Sequence, residues 1–247
     1  MSNRLLSIIG VWLACHVCVA AQSLETSSSL ALHVFLGASV GAPIPVGNIP
    51  EGASGSARPG FVGGISIAVP VHSAWTLQIE PQYVHYKAAF NTPLTNQPYV
   101  DKVAVTTPDG STTILEVQTT FTGTATGEFN TQYIQVPVVM AYSAGSVWTL
   151  LAGGYAGWMV ATQSAATGVG TVGIRPEVVE KNLEFGEKMQ GLDVGAQLGV
   201  QAQIFDDLRL GLRGVYGFTS VFNPDFQTVD RTVHNVFVHL TASVRLL

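Results

Sequence analysis

Five histidines lie beyond the apolar N-terminal run: His33, His72, His85, His234 and His239. They are the side chains best suited to proton transfer or metal ligation. A nucleophile needs its base within hydrogen-bond reach, and a metal needs several ligands at set spacings. No Ser/His/Asp spacing stands out, HExxH and P-loop motifs are absent, and no GxSxG motif is expected. The glycine-rich runs 191–199 and 153–157 do not follow a strand and open a helix, as a nucleotide site requires. Each histidine is therefore expected to make an interior hydrogen bond or to sit at the surface. No catalytic, cofactor or metal residue is assigned, and the chain is read as a non-enzyme.

The other chemistry-bearing residues are charges set among apolar ones: Glu80, Asp193, Arg209, Arg213 and Arg245. Each lies in a stretch whose side chains alternate with period two, the mark of a strand. In LDVGAQLGVQAQIF, residues 192–205, one face carries Leu, Val, Ala and Ile, and the other carries Asp193, Gln197, Gln201 and Gln203 between glycines. Seven further stretches behave likewise: 30–41, 61–71, 75–86, 132–142, 147–161, 208–222 and 236–246. The five charges named above all take the face opposite the aliphatic one.

These stretches run about 10 to 15 residues, enough for the roughly 9 to 11 that a membrane-crossing strand needs, against about 5 or 6 for a usual strand. Composition points the same way. Charged residues are 11% of the chain and hydrophobic residues 47%, whereas a typical soluble domain is about 25% charged. Gly, Thr, Ser and Gln take the place of the missing charge. Connections are short at 72–74, 143–146 and 206–207 and long at 42–60, 87–131, 162–190 and 223–233. Short turns on one side and long loops on the other mark an outer-membrane barrel.

Aromatic residues bracket the aliphatic faces. Trp75, Tyr142 and Trp148 adjoin the short turns, while Tyr83, Trp158, Tyr216 and Phe218 lie toward the long loops, as two interfacial girdles require. Trp148 and Trp158 are ten residues apart, about 33 Å along a strand and about 25 Å of height once tilted, the thickness of the apolar band.

The expected fold is all-β: an eight-stranded antiparallel up-and-down transmembrane β-barrel with short periplasmic turns and long extracellular loops. Eight strands leave an interior just wide enough for side chains to fill. The lumen is expected to hold a polar network of Glu80, Gln82, Asp193, Gln197, Gln201, Arg209, Arg213, His239 and Arg245. Glu80 and Asp193 should pair with some of the arginines, because buried charges need partners. Within the loops, 100–120 alternates around Pro108-Asp109-Gly110 and reads as a hairpin extending strands three and four. Charges in 177–188 are spaced for a short surface helix or a solvated loop.

The chain opens MSNR, continues apolar to Val19-Ala20-Ala21, and reads as a secretory signal peptide over 1–21. A periplasmic segment at 22–29 and the barrel at 30–247 follow. The alternatives are a retained helix, for which the run is short, and a lipid anchor at Cys15, for which Trp12 is wrong. Both cysteines, Cys15 and Cys18, lie in this segment. Without it the net charge of −5 becomes −6, since Arg4 leaves with no acid, and that argues against a nucleic-acid partner.

The segments WTLQIEPQYVHYKAAF, YIQVPVVMAY, LAGGYAGWMV and LDVGAQLGVQAQIF resemble consecutive strands of the PorT-like outer-membrane β-barrel domain of Bacteroidetes. The Tyr-Ile-Gln-Val-Pro-Val run, Tyr133 to Val138, is the most specific of them, and the resemblance covers most of 29–247. It implies an outer-membrane location, insertion by the barrel-assembly machinery, and no catalytic residue to carry over. Barrels of this kind commonly end on an aromatic, whereas this chain ends Arg245-Leu246-Leu247. The functional expectation is a monomeric, non-enzymatic surface-interaction or envelope-assembly component, in contact with lipid and acting on an envelope or extracellular partner through its loops. A lipid-modifying barrel enzyme and a secreted lipocalin-like lipid-binding barrel are the alternatives.

Overall fold

The computed structural model describes residues 30–47, 49, 51–107, 109–173, 177–224 and 232–246. The expected signal peptide and the 22–29 segment lie outside them. Among the described residues eleven strands form one antiparallel sheet: β1 (Ala31–Val46), β2 (Ser54–His72), β3 (Trp75–Ile79), β4 (Gln82–Thr106), β5 (Thr112–Ala144), β6 (Trp148–Thr162), β7 (Ala165–Val172), β8 (Val178–Glu184), β9 (Leu192–Gln203), β10 (Leu208–Gly217) and β11 (Thr232–Arg245).

Alternation decides the facing, and the aliphatic face is outside. On β1, Val34, Leu36 and Val40 are exposed while His33, Phe35 and Ser39 between them are buried. On β9, Leu198 is 68% exposed and Gln201 is 7%. A water-soluble sheet shows the reverse. An apolar outside with a polar inside suits lipid, where backbone groups must be satisfied by closed pairing.

The pairings run β1–β2, β2–β3, β3–β5, β5–β6, β6–β9, β9–β10, β10–β11 and β11–β1. β4 continues β3 between the same neighbours, β2 and β5. The strand count therefore exceeds the expected eight for two reasons. The third stretch is interrupted at Glu80-Pro81, where proline supplies no N–H to the ladder. The 162–190 loop also contributes β7 and β8.

The strands outrun the membrane. β4 has 25 residues and β5 has 33, and they stay paired up to Thr106 opposite Thr112, which is the hairpin expected at 100–120. Thr106 lies 23 residues beyond Tyr83, about 78 Å of strand at roughly 3.4 Å each. β7 pairs with the outer part of β5, and β8 pairs with β7. Where a short helix or a solvated loop was expected at 177–188, the chain forms β8 and a 3-10 turn, Gly186–Lys188. Charge spacing is local, and the backbone partners offered by β7 outweigh it. The 42–60 loop is likewise mostly strand, since β1 reaches Val46 and β2 begins at Ser54.

Candidate functional site

The lumen is stacked in layers that follow from strand position. Near its middle, Arg213 of β10 donates both Nη groups to the two oxygens of Glu80. Both residues are buried, and the Glu80 N–H donates to the Pro137 carbonyl at 3.0 Å. Gly199 makes room for this pair, because a Cβ there would lie 2.7 Å from Cγ of Arg213. A fork-shaped cation on a carboxylate is the strongest side-chain pairing available, and in a low-dielectric interior it fixes both groups.

Above it lies an aromatic layer. Tyr86 stacks on Phe237 with ring centroids 3.8 Å apart, and Tyr133 adjoins. Gln82 donates through Nε2 to Gln135 Oε1 at 3.0 Å, and Gln135 donates to the Tyr86 hydroxyl at 3.2 Å. Nearer the loops is Asp193, expected to meet an arginine. Its carboxylate instead accepts from the Tyr155 hydroxyl at 3.1 Å, Asn235 Nδ2 at 3.0 Å and the Thr219 hydroxyl at 3.1 Å. Glycines create this space, because a Cβ at Gly195 would lie 2.7 Å from the Tyr155 hydroxyl and one at Gly217 would lie 2.6 Å from the carboxylate.

Other expected network members are placed as follows. Gln197, Gln201 and His239 are buried in the lumen. Arg209 is half-buried near the short-turn end, its Nε on Gln203 Oε1 at 2.6 Å. Arg245 is a correction in part: it is exposed rather than buried, because it is the last residue of β11 at the short-turn rim, where it is the register partner of His33. Sequence reasoning missed Tyr155, Asn235 and Thr219, whose neutral groups carry no signal that they will meet a carboxylate.

The expected absence of a GxSxG motif is corrected by the sequence of β1. Gly37-Ala38-Ser39-Val40-Gly41 spells GxSxG, and Ser39 faces His239 across β1 and β11. Ser39 sits within a strand rather than on the strand-to-helix turn of a nucleophile elbow. Both side chains are fully buried, and neither Ser39 Oγ nor His239 Nε2 has a hydrogen-bond partner. The pair has neither access to substrate nor the contact that proton transfer needs.

The remaining histidines have specific settings. His85 meets the Asn130 amide at 2.6 Å and packs edge-on against Phe61. His234 stacks on Tyr216, its Nδ1 2.9 Å from the Gly217 carbonyl. His72 adjoins Ser73 in an exposed turn, with Nδ1 and Oγ 3.1 Å apart. Among the described residues no cluster of three or more His, Cys, Asp or Glu could hold a metal.

Of the girdle aromatics, Trp75, Tyr142, Trp148, Trp158, Tyr216 and Phe218 are exposed. Trp75 and Tyr142 are register partners with rings 4.8 Å apart. Tyr83 is half-buried, stacked on Phe61 with its hydroxyl donating to Gln132 at 2.6 Å.

At the loop end, Phe90, Phe129, Phe185 and Phe222 pack ring to ring at 5.1 to 6.0 Å. Met189, Val221 and Val233 join them. This aromatic cap sits where the outer sheet meets the barrel. Farther out, the sheet curls until Lys181 of β8 reaches Asp101 of β4 at 2.9 Å, with Tyr99 and Phe121 packed nearby. Burial raises the Tyr99 hydroxyl pKa above its ordinary value, against the opposing pull of Lys181.

No curated protein matches the sequence. Among solved structures, the attachment invasion locus protein Ail of Yersinia pestis is similar at 11% identity over 88% of this chain and 99% of that one, with TM-score 0.42. Neisserial surface protein A is similar at 12% identity over 90% and 100%, with TM-score 0.41. Residues 20–223 match the outer membrane protein beta-barrel domain. The chain belongs to that family and is a β-barrel protein of the bacterial outer membrane.

Proposed function

We propose that this protein is a non-enzymatic surface-interaction or envelope-assembly component, a monomeric eight-stranded barrel acting through the sheet it holds outside the membrane. The strand count treats β3 and β4 as one crossing. Ile79 faces Val138 and Gln82 faces Gln135, so the register passes the Glu80-Pro81 break without a slip. Counted so, the pairings return from β11 to β1 after eight crossings, and β7 and β8 belong to the outer sheet. The resemblance of Tyr133–Val138 to PorT-like domains favours the envelope-assembly side of this reading, with insertion by the barrel-assembly machinery.

The observation that carries the proposal is the outward continuation of β4 and β5, which recruits β7 and β8. Binding residues concentrate on projecting elements held by a rigid scaffold. Ile114, Leu115 and Val117 near the hairpin tip are exposed far beyond the girdles, and apolar groups displayed to water mark interaction sites.

Protease treatment of intact cells tests this. The expected result is cleavage near the hairpin tip, leaving a detergent-extracted barrel that still migrates anomalously unless heated. Protection of the hairpin in intact cells, or recovery of the protein from soluble periplasm, contradicts it.

A further inference from the structure

The short-turn end of the lumen, opposite the outer sheet, contains a cavity of about 130 Å³. Short turns face the periplasm in bacterial barrels, so this cavity faces the periplasm. Its volume comes from small inward residues: Ala31, Ala68, Ala141 and Ser143 sit where larger side chains would fill an eight-stranded barrel. That space has room for several waters or one small oxyanion.

Its polar lining is unbalanced. Arg209 contributes a half-buried guanidinium, and none of the ion pairs among the described residues includes it. The buried acid nearby, Glu80, gives both oxygens to Arg213. His33 and Gln78 also line the cavity; each is 3% exposed, and His33 Nε2 and Gln78 Oε1 have no hydrogen-bond partner. An amide can turn its N–H₂ to the same place. The hydroxyls of Thr76, Ser143 and Thr149 complete the lining. A buried cation needs a counter-charge, and buried polar atoms need partners.

We infer that this vestibule is a periplasm-facing binding site for a small tetrahedral oxyanion of the phosphate class, held by Arg209 with His33 and Gln78. A fork of guanidinium N–H groups spans two oxygens of such an anion, and the imidazole and amide reach the others. The site stands at the end of the barrel remote from the outer sheet, so it does not depend on how that sheet functions.

The test is titration of the refolded protein in detergent with inorganic phosphate, followed by calorimetry and ³¹P NMR line broadening. Saturable one-to-one binding is expected. Arg209→Gln should weaken it by at least about tenfold, the loss of one charge-assisted contact. Ala141→Leu fills the cavity while leaving Arg209 in place and should abolish binding, with heat-modifiable migration confirming that both variants are folded. Arg58→Gln, at the opposite end of the barrel, should bind as the parent does. Absence of saturable binding, unchanged affinity in both lumen variants, or displacement of phosphate by an equal concentration of acetate would overturn the assignment.

Discussion

Glu80 and Arg213 meet across the barrel interior, the carboxylate at the break between β3 and β4 and the guanidinium in the middle of β10. The contact ties two distant strands at mid-height, between the vestibule and the aromatic layer. Removing one partner leaves a buried charge uncompensated, which costs about 3–5 kcal/mol. Arg213→Met and Glu80→Gln should each lower stability on that scale in urea unfolding from lipid vesicles. Replacing both residues with apolar ones of similar volume should recover most of the loss. If the double variant is as unstable as the sum of the singles, the two residues do not act as a pair.

Leu198 and Gln201 lie three residues apart on β9 and face opposite ways. Leu198→Arg places a charge in the middle of the lipid face and should cost about 2–4 kcal/mol of membrane stability. Gln201→Leu should leave insertion intact. Folding yield into vesicles, read by heat-modifiable migration, checks both. A harmless Leu198→Arg would mean that the strand faces the other way.

Phe185 anchors the 3-10 turn after β8 in the aromatic cap, against Phe90, Phe129 and Phe222. Truncating a packed phenylalanine costs about 3–5 kcal/mol, and here the cost should fall on the outer sheet rather than the barrel. Phe185→Ala is expected to speed proteolysis within 162–190 while membrane insertion stays normal. Equal protease resistance in the variant and the parent would show that the cap does not hold the loop down.

Asp109 closes the hairpin tip. The Thr107 hydroxyl foremost, then the Ser111 backbone N–H and hydroxyl, hold its carboxyl pKa below the ordinary range. A carboxylate with a depressed folded pKa contributes stability that is fully present above its unfolded value of about 3.9 and is lost as pH falls through the lowered one. Amide exchange at Thr107 to Ser111 should therefore quicken on acidification across that window, and Asp109→Asn should show the faster exchange already at neutral pH. An NMR titration placing Asp109 at the ordinary value would contradict this.

The sequence showed which face of each strand is lipid-facing because alternation is local, and Leu198 and Gln201 declare their sides by parity alone. It also showed the lumen acids and arginines as inward, yet it could not say which of them meet. Pairing across a lumen depends on strand stagger and height, and these come from closure of the whole sheet. Glu80 found Arg213 on this account, whereas Asp193 lies higher, among Tyr155, Asn235 and Thr219. Arg245 has the right parity but sits at the rim, the last residue of its strand. β7 and β8 were hidden for a different reason. Their few apolar residues are interrupted by small or charged ones, and what makes them strands is the edge that β5 offers to β7 from about forty residues away in sequence, and that β7 offers in turn to β8.

Impermeant thiol labelling of whole cells probes the inside-out barrel and its outward sheet most directly. Both native cysteines, Cys15 and Cys18, precede the described strands, and the unsubstituted chain supplies the background. Ile114→Cys at the hairpin tip is expected to label in intact cells. Ser73→Cys, in the short turn between β2 and β3, should label only after the outer membrane is permeabilised. Labelling of Ser73→Cys but not Ile114→Cys in intact cells, or equal labelling of both in the soluble fraction, would contradict the account.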